Sequence, residues 1–158
     1  MATRNDRMKR YADGLALLAV TAWVGVLWGI GYVAVQVLFQ AMPDKTLAGM
    51  LAGKMLTQVI YIGMASACYL LVYYLSIFGR AAFKQAVFWI VAAMLLLTMA
   101  QLVIHPIMAD LKAQALPAEV MKSAFAGRFR AWHGIASILY LVQSLTGAVL
   151  VLKTKRQL

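Results

Sequence analysis

The chain has 158 residues, of which 64% are hydrophobic and 13% charged, and its mean hydropathy is +0.80. Because roughly a quarter of the residues of soluble domains are charged, this composition excludes an ordinary soluble protein. The net charge of +10 is spread over short segments between apolar runs, which indicates anionic lipid headgroups rather than nucleic acid as the charged partner. Cys68 is the one cysteine, so no intramolecular disulfide can form.

Four apolar runs are long enough to cross a hydrocarbon core of about 30 Å as helices. They cover about residues 14–39, 47–78, 82–107 and 132–152. We therefore predict an all-α membrane protein, a four-transmembrane-helix antiparallel bundle that forms a single integral membrane domain over residues 1–158. The first run is too long for the h-region of a signal peptide, so we expect it to remain as an anchor.

The first span contains a GxxxG pattern, Gly25 and Gly29, which lets another helix approach closely. We expect it to pack inside the protein, with dimerisation as the alternative. Gln36 and Gln40 share one face near the end of this span. Since an amide in lipid needs a partner, this face is expected to point into the bundle or to lie at headgroup level.

The turn after the first span ends in Asp44, which is well placed to cap the second helix. A second GxxxG pattern follows at Gly49 and Gly53. Lys54 and Gln58 then share a face, and Lys54 is close enough to the start of the helix to extend its ammonium to the interface.

Gly79 is the expected stop of the second span. Near the end of the third span, Gln101 and His105 lie four apart beside Pro106, where a kink is expected. The connection over residues 109–129 is predicted to contain an amphipathic helix, with Pro117 in its first turn, that roofs the bundle between helices 3 and 4.

The distribution of Lys and Arg predicts that both termini are cytoplasmic, with the long connection outside. Six basic residues lie in the first and third connections. Nine lie in the two tails and the second connection: Arg4, Arg7, Lys9, Arg10, Arg80, Lys84, Lys153, Lys155 and Arg156.

The predicted topology places the two histidines, His105 and His133, at the same depth in the membrane, near the outer surface. Imidazoles on adjacent helices suit a metal ion or haem iron, and the Met108 thioether suits Cu(I). Structural histidines at the interface and proton handling are the alternatives. A polar pocket is expected beside them, lined by Gln36, Gln40, Lys54, Gln58, Gln101 and Arg130.

Other kinds of chemistry find little support in the sequence. It contains no paired carboxylates, no nucleophile beside a base and no phosphate-cradling glycine loop, which favours a protein that is not an enzyme. Besides a metal or haem protein, the sequence allows a non-catalytic assembly or accessory subunit of a membrane complex, or a small transporter. The GxxxG faces suit a homo-oligomer or a membrane-protein partner.

Four segments, residues 11–18, 28–29, 48–53 and 129–134, carry a family resemblance over about residues 10–152. The most specific is Phe-x-x-Trp-His-Gly at 129–134. The chain resembles an uncharacterised family of four-helix proteins of bacterial inner membranes. That family is similar to a eukaryotic transmembrane protein associated with platinum-drug resistance, and distantly to copper-resistance D membrane domains. The resemblance implies an inner-membrane location and, loosely, metal handling, with His133 as the position carried over. The cofactor is left open, with copper and haem b as the candidates that the histidines and methionines suit.

Overall fold

A computed structural model of the chain describes residues 4–116 and 118–154, so Pro117, Lys155 and Arg156 lie outside the described residues. The first span consists of α1, a π-helical turn and α2. Three long helices follow it. The bounds are α1 Arg4–Trp28, the π-helical turn Gly29–Ala34, α2 Val35–Ala41, α3 Lys45–Phe78, α4 Ala86–Ala115 and α5 Ala126–Thr154.

Four helical stretches are long and apolar enough to cross a membrane: Arg7–Ala41, Lys45–Lys84, Ala86–Ala115 and Ala126–Thr154. This confirms the predicted all-α four-helix bundle of a multi-pass membrane protein. The main contacts join α1 to α3, α3 to α4, α4 to α5 and α5 back to α1. The spans therefore form a closed ring in chain order.

Local signals set the ends of α3 as the sequence predicts. The Asp44 carboxylate accepts hydrogen bonds from the backbone N–H groups of Thr46 (2.8 Å) and Leu47 (3.0 Å), which satisfies two donors of the first turn. At the other end Gly79 has φ +53°, a backbone conformation that favours glycine. The turn Gly79–Lys84 is a 3-10 helix that leads into α4.

The connection between α4 and α5 differs from the prediction. Helix α4 continues past Pro106 to Ala115, and α5 already begins at Ala126. Proline removes one backbone donor, and the following turns make their own hydrogen bonds, so the helix resumes. The connection that remains holds a 3-10 turn, Val120–Lys122, in place of a separate amphipathic helix.

The closest glycine contacts are made outside the GxxxG patterns. A Cβ on Gly25, Gly29 or Gly53 would meet nothing within 4 Å. The expected packing inside the protein is therefore wrong for Gly25 and Gly29. In the second pattern Gly53 is equally open, whereas Gly49 does lie near other residues, as described below. By contrast, a Cβ on Gly63 would lie 2.5 Å from the indole nitrogen of Trp23, whose side chain is fully buried.

Hydrogen bonds between helices satisfy many of the polar side chains inside the bundle. Gln143 on α5 donates to the Thr98 hydroxyl on α4 over 2.9 Å. The Tyr140 hydroxyl donates to the Leu27 carbonyl, just before the π-helical turn. In lipid no water is available to replace such partners, and a hydrogen bond between membrane helices contributes about 0.6 kcal/mol on average.

Candidate functional site

One end of the bundle is organised around Lys112, and we call it the Lys112 end. The Lys112 ammonium donates to the Gly49 carbonyl over 3.0 Å and lies 5.5 Å from the centroid of the Phe129 ring. A Cβ on Gly49 would lie 3.8 Å from this nitrogen and 3.7 Å from the Phe39 ring. Lys112 thus joins α3, α4 and α5 at one point.

Both histidines belong to this end but differ in environment. His105 is half-buried, and the Lys112 ammonium is close enough to interact with it electrostatically. His133 is exposed and stacks on Phe129, with ring centroids 5.7 Å apart and an interplanar angle of 10°. Contacts therefore join Lys112, Phe129 and His133, and His105 is linked to this group through its electrostatic interaction with Lys112.

His105 lies on a polar stripe along the inward face of α4. At 100° per residue, Thr98, Gln101, His105 and Lys112 fall within an arc of about 60°. Thr98 and Gln101 are buried, and the amide nitrogen of Gln101 has no hydrogen-bond partner among the described residues. Met108, predicted as a thioether ligand, lies on the same side of α4 and is half-buried.

The depth of the Lys112 end follows from helix length. Trp89 is 58% exposed near the start of α4, a typical place for an indole at the membrane interface. Lys112 follows Trp89 by 23 residues, or about 35 Å of helix at 1.5 Å per residue, which exceeds a hydrocarbon core of about 30 Å. If Trp89 marks one interface, Lys112 and Gly49 lie at headgroup level at the other.

The remaining predicted pocket residues do not line an internal cavity. The structure places Gln36, Gln40, Lys54, Gln58 and Arg130 on the outer surface, so of the six predicted pocket residues Gln101 is the buried one. Near the end of their span, Gln36 and Gln40 suit the predicted alternative, a position at headgroup level. The Arg130 guanidinium donates to the Ala126 carbonyl within its own helix.

A second polar region lies on the outside of α3, and we call Lys54, Gln58 and Tyr61 the α3 polar face. All three are exposed and recur at spacings of three and four. Gln58 follows Gly49 by nine residues, about 14 Å of helix, so with Trp89 at one interface Gln58 lies on the order of 10 Å inside the hydrocarbon layer. Among the described residues, no hydrogen-bond partner is found for the side chains of Gln58 and Tyr61.

The donors present suit hydrogen bonding and charge attraction better than metal chemistry. The described residues contain no group of three or more His, Cys, Asp or Glu side chains that could hold a metal ion.

The sequence did not predict Lys112 as a site residue, because nothing local distinguishes it from the other basic residues among the 15 in the chain. Its spacing of seven from His105, two helical turns, was the one available signal.

Comparison with known protein families gives a match over most of the chain. Residues 18–117 match the family model described as "Domain of unknown function (DUF4149)". No curated protein and no solved structure matches the chain.

Proposed function

The chain belongs to the DUF4149 family, and we propose that it is a non-catalytic membrane assembly subunit that binds another transmembrane helix through the α3 polar face. The observation that carries this proposal is the exposed Gln58 amide inside the hydrocarbon layer. An amide without a partner costs about 1–3 kcal/mol in proteins, and lipid tails cannot form hydrogen bonds. A helix seated on α3 would supply that partner.

A second copy of the chain is the occupant that the geometry favours. Two copies related by an axis along the membrane normal place identical residues at identical depth. Gln58 would then meet the same amide of its partner, and one amide can both donate and accept. Tyr61 lies one turn deeper and is 53% exposed, so it would add a ring and a hydroxyl to the same contact between the two copies.

Cys68 provides a direct test because it is exposed and lies ten residues beyond Gln58 on the same side of α3. Oxidation of native membranes should join two chains through Cys68. The matched control is Cys68→Ala with Leu96→Cys, which moves the thiol to an outward position of α4 that is 69% exposed. This variant should stay monomeric under the same oxidant.

A second pair of variants tests the amide itself. Gln58→Leu should reduce the crosslinked fraction, with roughly a threefold to thirtyfold weaker association, because hydrogen bonds between membrane helices contribute about 0.6–2 kcal/mol. Gln36→Leu removes an exposed amide elsewhere and should leave the crosslink unchanged. A Cys68 adduct to a different protein would keep the assembly role but change the occupant. No adduct in native membranes would refute the proposal.

A metal or haem protein is the second candidate, favoured by the presence of both His105 and His133 at the Lys112 end. It agrees with the resemblance to the platinum-resistance protein and the copper-resistance D domains. The donor set fits it poorly, however, since the cationic Lys112 ammonium interacts electrostatically with His105 and the His133 ring stacks on Phe129. Purification from cells supplied with copper and haem tests it. A Soret band or stoichiometric copper that is lost in His105→Ala would establish this candidate.

The cellular setting belongs to the same proposal. We place the chain in a bacterial inner membrane with both termini cytoplasmic and the Lys112 end facing the periplasm, as the nine basic residues in the tails and the second connection favour. Cysteines introduced at Lys122 and at Arg80 of a Cys68→Ala chain test this topology. A thiol reagent that cannot cross the membrane should label the first of them in whole cells and leave the second unlabelled.

A further inference from the structure

We infer that the Lys112 end holds a binding site for a phosphate oxyanion, centred on the Lys112 ammonium and supplied by a phospholipid headgroup or by free phosphate. This inference does not depend on the proposed function, because the α3 polar face and the Lys112 end share no residue. It starts from a half-buried cation that no carboxylate neutralises within the described part of the chain.

Each carboxylate with a described side chain has a partner other than Lys112. Asp13 accepts from the Tyr73 hydroxyl at the opposite end of the bundle, and Asp44 caps α3. Asp110 accepts from the Gln114 amide over 2.7 Å, and Glu119 pairs with Lys122 over 3.3 Å. The partners of Lys112 are a neutral carbonyl and a ring, so its positive charge remains available to an anion.

The ammonium also keeps hydrogen-bonding capacity. A lysine ammonium has three N–H donors, and the Gly49 carbonyl takes one of them. The Phe129 ring favours the cation electrostatically but cannot accept as an oxyanion does. At least one donor of Lys112 is therefore free to bind an acceptor.

A second lysine at this end, Lys45, is exposed but also donates to backbone carbonyls. Lys45 is four residues before Gly49, and its ammonium is held by the carbonyls of Phe39 (2.6 Å) and Met42 (2.9 Å). Two ammonium groups thus flank the first turns of α3, each bound to carbonyl oxygens. A phosphate oxyanion is the ligand class that complements such donors, because hydrogen bonds between charged groups are about twice as strong as neutral ones.

The depth of the site brings phospholipid within reach. Lys112 lies about 5 Å beyond the hydrocarbon edge when Trp89 marks the opposite interface, which is the level of lipid phosphates. Free phosphate reaches the same level from the water. The phosphate group can therefore come from a lipid headgroup or from free phosphate, and a binding experiment distinguishes the two.

The test is native mass spectrometry of the full chain in mild detergent, titrated with phosphatidylglycerol, with and without inorganic phosphate as competitor. Lys112→Gln keeps a donor for Gly49 but removes the charge, and should weaken lipid binding roughly tenfold, the size expected for one charge-assisted hydrogen bond. Lys112→Arg should retain binding. Lys122→Gln is the matched control, because it removes the same charge from an exposed side chain already paired with Glu119, and it should bind as the wild type does.

The outcomes separate the two sources. Phosphatidylglycerol adducts that Lys112→Gln loses and inorganic phosphate does not displace identify a lipid headgroup. Adducts that phosphate displaces, together with phosphate retained in the absence of lipid, identify a site for the free anion. Equal lipid binding by Lys112→Gln and Lys122→Gln would overturn the inference, because lipid binding would then depend on the net charge of the protein and not on Lys112.

Discussion

Gly63→Ala is the substitution with the clearest expected effect on stability. The added Cβ would lie 2.5 Å from the indole nitrogen of Trp23, about 1 Å closer than carbon and nitrogen atoms normally approach. The Trp23 ring is rigid and its exposure is 0%, so it cannot move aside into solvent. Overpacking of this kind costs about 1–3 kcal/mol.

Gly53→Ala is the control, because it makes the same change in the same helix where a Cβ meets nothing within 4 Å. Both variants gain the greater helix propensity of alanine, about 0.5–1 kcal/mol. Their difference therefore isolates the clash, and Gly63→Ala should be less stable than Gly53→Ala by about 1–3 kcal/mol. The free energies can be measured by reversible unfolding in mixed micelles with increasing SDS, followed by tryptophan fluorescence. Equal stability of the two variants would refute the packing of Trp23 against Gly63.

Three further substitutions test other contacts in the same unfolding assay. Tyr140→Phe should lower the free energy of unfolding by about 1 kcal/mol through loss of the bond to Leu27, and no change would mean that this bond does not form. A double-mutant cycle of Gln143→Leu and Thr98→Val should give a coupling of about 0.6 kcal/mol, whereas additive effects would contradict the contact. Gly79→Ala should cost about 1–3 kcal/mol because of the φ of +53°, and a neutral effect would show that the turn adopts another conformation.

The sequence predicts features that depend on local chemistry. The four spans follow from runs of apolar residues, and the cap at Asp44 and the stop at Gly79 follow from the conformations those residues prefer. Each needs just a few neighbouring residues to be recognised. These are the parts of the fold that the structure confirms.

Features that depend on how each helix is rotated about its axis are predicted less well. When nearly every residue is apolar, hydrophobicity does not show which side of a helix faces its neighbours. Gln58 was expected inside and lies outside, and the open glycines Gly25 and Gly29 were expected in contacts that Gly63 makes instead. The contacts of Lys112 were not predicted for a related reason, because its carbonyl and ring partners belong to two other helices.

The ring order of the spans has a consequence for biogenesis. A ribosome delivers the spans one after another, so α3 and α4 can pair before α5 has been synthesised, while the seam between the first and last spans must close at the end. That seam holds the hydrogen bonds of Tyr32 and Trp28 to Ser144 as well as the bond from Tyr140. These bonds can form once α5 is in place, and without α5 the Trp28 indole, the Tyr32 hydroxyl and the Leu27 carbonyl would lack these partners.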